Sequence, residues 1–216
     1  MRIKINFKAD NIKIDNNLSS LNSYIHRCLG NNNIYHNSAS KYNISQLLNS
    51  KVVDGGKKLL CNNPYILLSS QDLEFMEKFV GGCFGIDYSE DIKFVNNDFI
   101  KVHDFYGGYN FFKTVGTGVL LKSKGASINA NDKSYSKKLK ESILRKYKLV
   151  HGKEYNKDFS IDISKYLLRN VIVKHNKNIV SDIVFKLSGD KDISEFIYYN
   201  GIGKSTGSGF GMLVRN

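Results

Sequence analysis

The chain ends in Gly201-Ile202-Gly203-Lys204-Ser205-Thr206-Gly207-Ser208-Gly209-Phe210-Gly211-Met212-Leu213-Val214-Arg215-Asn216. Five glycines stand at alternating or near-alternating positions, followed by a strand-like apolar run. Glycine admits positive φ and lets a second backbone approach with no Cβ in the way. A loop this dense in glycine, with Lys204, Ser205 and Thr206 inside it, offers backbone N–H groups to phosphate oxygens. Gly203-Lys204-Ser205 looks like the end of a nucleotide P-loop, but two features exclude it. That pattern needs glycine where Tyr198 stands. It must also follow a strand and open a helix. Here 195–199 reads as a helix end and 210–214 as a strand.

Working outward, the element order repeats. In the first half, 3–7 alternates as a strand. Leu18, Leu21, Ile25 and Leu29 share a helical face. Segments 42–48 and 65–69 read as strands around the turn-rich Asp54-Gly55-Gly56. A helix over 72–80 has Asp72 as its cap and Gly81-Gly82 as its stop. Segments 92–95 and 99–105 make a final strand or hairpin. In the second half, 115–122 reads as a strand. Tyr135, Leu139, Ile143 and Tyr147 stripe a helix over 135–148. Strands follow at 170–174 and 179–187, then a short helix at 193–199, the Gly-rich loop and the last strand. The expected fold is therefore α+β: two tandem ferredoxin-like (RRM-like, βαββαβ) domains. Their extents are 1–110 and 111–216, the first carrying the candidate catalytic loop and the second the Gly-rich loop. A cleft between two such sheets would suit an extended strand or a hairpin stem.

A chain of 216 residues with 41% hydrophobic content has room for two such cores. No apolar run approaches the ~18 residues a membrane span needs, and the N-terminus shows no apolar signal-peptide region. A cytoplasmic protein without a membrane partner is expected. Cys28, Cys61 and Cys83 are odd in number with no C-x-x-C pairing, so neither zinc nor a disulfide framework is expected. No cofactor is indicated. The formal net charge of +12 favours polyanions such as nucleic acid or acidic membrane over a merely solvated basic surface. The helix from Lys133 to Lys148 concentrates Lys137, Lys138, Lys140, Arg145, Lys146 and Lys148. Lys137, Lys138 and Arg145 are the candidate phosphate contacts.

Of five histidines, only His26 and His36 fall close together, in a segment rich in Asn and Ser that runs from Tyr24 to Tyr42. His26 lies late in the first helix and His36 on the loop after it. Imidazole takes and gives protons near neutral pH. Two imidazoles and Lys41 around one phosphate would suffice for RNA cleavage without metal. Packing on the sheet is the plain alternative for His26. Tyr35 and Tyr42 could equally serve the core or stack on bases. His103, His151 and His175 have no chemical partners nearby in sequence and read as structural or solvent-facing.

Helix, Gly-x-Gly (Gly201, Gly203), then Gly209-Phe210-Gly211-Met212 and a terminal strand resembles the RAMP superfamily, the repeat-associated RNA-binding proteins of CRISPR systems. Tyr35-His36 followed by Tyr42-Asn43-Ile44-Ser45-Gln46-Leu47 resembles the endoribonucleases of that superfamily that process CRISPR repeat transcripts. His26 and Lys41 stand at positions comparable to a Tyr or His and a Lys in other members. One departure is that Gly116 and Gly118 stand where Ser/Thr-Pro often opens the second domain. The resemblance implies metal-independent attack of a ribose 2′-OH on the adjacent phosphate, giving 2′,3′-cyclic phosphate and 5′-OH ends. His36 would act as general base or acid, His26 or Tyr35 would take the other role, and Lys41 would stabilise the phosphorane. It implies CRISPR repeat RNA, precursor or mature, as partner. Gly201, Gly203, Lys204, Ser205, Gly207, Gly209 and Gly211 would contact the RNA. Subunits of a CRISPR effector complex are further partners, and the protein would be a monomer or homodimer. The alternative is a non-catalytic RNA-binding subunit of such a complex. A generic RRM module would want aromatics at RNP spacing, which the chain lacks.

Overall fold

The computed structural model describes residues 1–216 except 16–17, 31–32, 36–39, 103–109, 124 and 174–175. Its strands are β1 (Arg2–Lys8), β2 (Ile12–Asp15), β3 (Tyr42–Ile44), β4 (Leu48–Val53), β5 (Lys58–Ser70), β6 (Lys93–Val102), β7 (Phe111–Val115), β8 (Lys122–Ser123), β9 (Ala126–Ser127), β10 (Ser160–Val173), β11 (Asn176–Ser188) and β12 (Met212–Arg215). Its helices are α1 (Leu18–Leu29), α2 (Leu73–Cys83), α3 (Tyr135–His151) and α4 (Lys191–Asn200).

The first sheet runs β6-β1-β5, with β2, β3 and β4 all pairing β5; the second runs β12-β7-β11-β10. All pairings within both sheets are antiparallel. If the four main strands of each half are numbered along the chain, each sheet has the order 4-1-3-2. Helices follow the first and third strands, so each half is ferredoxin-like.

The helices follow from local chemistry. The Asp72 carboxylate accepts from the Phe75 N–H at 3.0 Å and caps α2. Asp190 does the same for α4 through the Ile193 N–H, also at 3.0 Å. In α3 the residues at four-residue spacing, Tyr135, Leu139, Ile143 and Tyr147, are the buried ones. Gly152 ends that helix at φ 69°. Each half has its own core: Tyr24, Phe75 and Phe79 are fully buried in the first, Phe112, Phe185 and Phe196 in the second.

Several strands differ from the sequence expectation. The strand expected at 115–122 lies earlier, as β7, because Gly116 and Gly118 take φ of 74° and 82° and turn the chain. The single strand expected at 42–48 is broken into β3 and β4. Strand β10 begins ten residues before the expected 170, and β2 was not anticipated. Both are polar, alternating stretches whose register is set by long partners, β11 and β5.

The two halves meet over a polar seam. Arg2, 1% exposed, donates to the carbonyls of Leu213 (2.6 Å) and Tyr198, and its guanidinium lies 3.6 Å from the Tyr198 ring centroid. Burial pulls its pKa down to about 10, still charged at neutral pH. Ser69 Oγ donates to Tyr199 O at 2.8 Å, and Asn200 Nδ2 donates to Gln71 Oε1 at 2.8 Å. Apolar closure comes from Leu18 of α1 set among Leu120, Val171, Val180 and Phe210. Replacing Arg2 by Met leaves two buried carbonyls unpaired, at about 1–3 kcal/mol each. Urea unfolding of Arg2→Met should therefore show a loss of about 2–6 kcal/mol. A loss below ~0.5 kcal/mol, the level of a surface change, would remove Arg2 from the seam's energetics.

Candidate active site and nucleic-acid interface

The Gly-rich loop is built into the seam. Gly201, Gly203, Gly207, Gly209 and Gly211 are all buried, whereas Lys204 and Ser205 are exposed. A Cβ at Gly203 would meet Leu120 O at 2.7 Å, and one at Gly209 would meet Leu18 and Leu21 of α1 at 3.1 and 3.2 Å. A Cβ at Gly207 would press on Ser40 and lie 3.0 Å from Tyr42 Cζ. At Gly211, φ is 66° and a Cβ would overlap the Ile202 carbonyl. Several loop amides are committed inside the protein: Ile202 N donates to Gly211 O (3.1 Å), Lys204 N to Leu120 O (2.8 Å) and Gly211 N to Gly118 O (2.8 Å). The glycines thus let backbone pack on backbone, and Lys204 and Ser205 form the loop's solvent-facing crest.

That packing brings the Ser40–Tyr42 end of the histidine segment, and α1 before it, to the loop. Thr206 Oγ1 donates to Tyr42 O at 3.2 Å, and Asn22 Nδ2 of α1 donates to Ser208 Oγ at 3.3 Å. Ser70 Oγ donates to Lys41 O at 2.7 Å, and the Lys41 side chain is exposed. His26 is half-buried on the last turn of α1, with Asn33 Nδ2 3.4 Å from its Nδ1. Tyr35 is buried, its ring edge-on to Phe75 at 5.0 Å. Burial, then Asp72 and Glu74, raises its hydroxyl pKa. His36 lies outside the described residues, as do His103 and His175. Its near neighbours Tyr35 and Ser40 are placed, one on α2 and the other against Gly207. The exposed His151 ring packs on Tyr147 and Phe196, at 4.4 and 5.5 Å, and burial lowers its pKa.

The cations of α3 divide three ways. Lys140 pairs with Asp158 at 2.5 Å and Lys148 with Glu154 at 2.7 Å. Lys137 is exposed. Lys138, paired with Glu141 at 2.9 Å, and Arg145 line a cavity of about 220 Å³ together with Lys122 and Lys204. An adjoining cavity of about 320 Å³ shares Arg145 and Lys204 and adds Ser40, Ser205 and Lys146. The two form a basic channel from α3 to the loop crest and to the segment leading into β3. Lys122 and Ser40 were not singled out from the sequence, and Lys146 was read there only as one cation of the basic helix. Spacing does not tell which lysine of a basic helix turns toward a loop 60 residues away.

Lys146 is the most perturbed cation of the site. Its side chain is half-buried as a whole, but its ammonium is enclosed, donating to Asn200 O and to Thr206 Oγ1. Burial pushes its pKa down to about 7.

Two 4-1-3-2 antiparallel sheets in tandem, with a Gly-rich loop before the last strand, make up a RAMP-like fold. Solved structures with this architecture align along the whole chain. One titled "CRISPR associated protein Cas6" has a TM-score of 0.84 at 23% identity, covering 100% of this chain and 99% of that one. One titled "An RAMP protein binding different RNA substrates" also has a TM-score of 0.84, at 20% identity and the same coverage. The CRISPR-associated endoribonuclease Cas6 1 of Methanocaldococcus jannaschii is 24% identical over 188 residues, 80% of this chain and 72% of that protein. A Cas6 protein of Pyrococcus furiosus described as endoribonuclease-like is 28% identical over 177 residues, 75% of this chain and 72% of that protein. Residues 105–214 match the family described as CRISPR associated protein Cas6, C-terminal. The chain belongs to the Cas6 family. No described helix is long and apolar enough to cross a membrane.

Two outcomes follow from the loop and its lysine. Gly211→Ala should lower stability by about 1–3 kcal/mol or more, through overpacking and a strained φ. Calorimetry on protein without RNA checks this, and an unchanged melting temperature would contradict the packing role. Between the depressed folded-state pKa of Lys146 and its ordinary 10.5, the unfolded chain binds the extra proton. Stability should therefore rise from pH 7 to pH 9, and Lys146→Met should flatten that rise. Equal slopes in the two proteins would refute the assignment.

Proposed function

We propose that this protein is an endoribonuclease that cuts CRISPR repeat transcripts without a metal, by attack of a ribose 2′-OH on the adjacent phosphorus. The observation that carries the reading is the seating of the Lys41-Tyr42 end of the histidine segment on the Gly-rich loop, beside the basic channel. This arrangement supports a reading in which Lys41 and the channel cations act on one RNA strand. Membership of the Cas6 family supports the substrate class, and the name of the Methanocaldococcus jannaschii relative supports the activity.

In the proposed step, a base removes the 2′-OH proton while the oxygen bonds to phosphorus. The P–O5′ bond breaks and the departing oxygen takes a proton from an acid. The products are a 2′,3′-cyclic phosphate and a 5′-OH. His36 takes one proton-transfer role. His26 is favoured over Tyr35 for the other, since the Tyr35 ring is committed to the contact with Phe75. The exposed Lys41 ammonium would stabilise charge on the phosphorane oxygens. Lys204, Ser205, Lys138 and Arg145 would follow the flanking phosphates, so binding should weaken as salt rises. The divisions 1–110 and 111–216 are proposed as the two domains, since β1–β6 and β7–β12 share no sheet. We place the protein in the cytoplasm with its RNA.

Cleavage of a repeat RNA in EDTA tests the reading, and a single 2′-deoxy substitution at the cut site should abolish it. His36→Ala and His26→Ala should each slow single-turnover cleavage about 10²-fold or more while RNA still binds. Full activity in both variants would remove these imidazoles from the mechanism. A second reading, an RNA-binding subunit without cleavage, is favoured by the endoribonuclease-like description of the Pyrococcus furiosus relative. It would show as tight binding of intact repeat RNA.

A further inference from the structure

Among the six cations singled out on α3, Lys146 alone has its ammonium enclosed, and no carboxylate of the described residues pairs with it. Its acceptors are both neutral. One is the carbonyl of Asn200, the last residue of α4, where the helix dipole leaves partial negative charge. The other is the hydroxyl of Thr206, 2% exposed in the middle of the Gly-rich loop. That hydroxyl in turn donates a hydrogen bond to the Tyr42 carbonyl at 3.2 Å. One residue earlier, the Lys41 carbonyl is held by Ser70 Oγ. An unbroken hydrogen-bonded path therefore runs from α3 through the loop to the residue after Lys41. Burying an ammonium on neutral acceptors is unfavourable, as its depressed pKa records. Packing alone would be met by an apolar side chain of the same length.

We propose that Lys146 is a positioning residue: through Thr206 it fixes the Gly-rich loop against the strand that begins beside Lys41. The consequence for cleavage rests on the endoribonuclease reading; the consequence for the loop does not. The ammonium ties down the start of the loop at Asn200 and its middle at Thr206. Lys204 and Ser205, the exposed residues between these ties, then present one conformation to a phosphate. Without the tie the loop would have to be ordered upon RNA binding. Lys41 would also lose its fixed relation to the loop crest.

The test compares Lys146→Met, Thr206→Val and the double variant with the unaltered protein. Three measurements are made: amide hydrogen exchange over residues 201–209, the Kd for a repeat RNA, and single-turnover cleavage at saturating protein. The proposal expects loop exchange about tenfold faster in Lys146→Met, with β1 and β5 unchanged. Cleavage should slow about tenfold or more while Kd moves less than about threefold. Thr206→Val should reproduce the effect, and the double variant should be no worse than the more severe single one. Unchanged loop exchange would overturn the proposal. So would a Kd weakened about tenfold with a shallower salt dependence, which would make Lys146 a phosphate contact. If Lys146→Met fails to fold, Thr206→Val keeps the lysine, removes the relay and is judged by the same criteria. If the unaltered protein cuts no RNA, the endoribonuclease reading fails. Loop exchange alone then decides the role of Lys146.

Discussion

The guanidinium of Arg2 is sealed between the two halves of the chain, and the position of the Gly-rich loop follows from what it holds. Its two carbonyl acceptors belong to Tyr198 and Leu213, one just before the Gly-rich loop and one just after it. A side chain at the start of the first sheet therefore fixes both ends of a loop carried by the second. Desolvation lowers its pKa without neutralising it. The planar fork of arginine suits two divergent carbonyls, and its face suits the Tyr198 ring. A lysine would present a point charge and no stacking surface.

Glycine in the loop serves two ends that do not compete. Its missing Cβ atoms allow α1, β3 and the segment at 118–120 to pack directly against the loop backbone. The same closeness brings Ser40 and Tyr42 alongside Gly207 and Thr206, within reach of the channel. The solvent-facing part is then the short crest of Lys204 and Ser205, held from below. Preorganisation of this kind lowers the ordering cost of binding an extended polyanion.

The charges of α3 show how little a net charge says about a binding face. Lys140 and Lys148 are paired to carboxylates at the surface, where such pairs contribute on the order of 1 kcal/mol or less. Lys138 and Arg145 face the channel. Lys146 turns inward to the loop. One helix thus divides its cations between surface ion pairs, the lining of the channel and the scaffold.

The amino-acid sequence by itself determined the repeated α+β order, because periodicity and caps are local. Leu18, Leu21 and Ile25 on α1, Asp72 before α2 and the four-residue stripe of α3 each act within a few residues. The terminal Gly-x-Gly and Gly-Phe-Gly signature, and with it the family, was equally legible. Tertiary structure decided the rest. It set β2 and the early part of β10, whose partners lie far along the chain. It made Gly207 and Gly209 packing positions against α1 and β3. It also took Arg2 and Lys146 out of solvent. Spacing fixes which face of an element a residue occupies; what fills the space opposite that face depends on how distant segments dock.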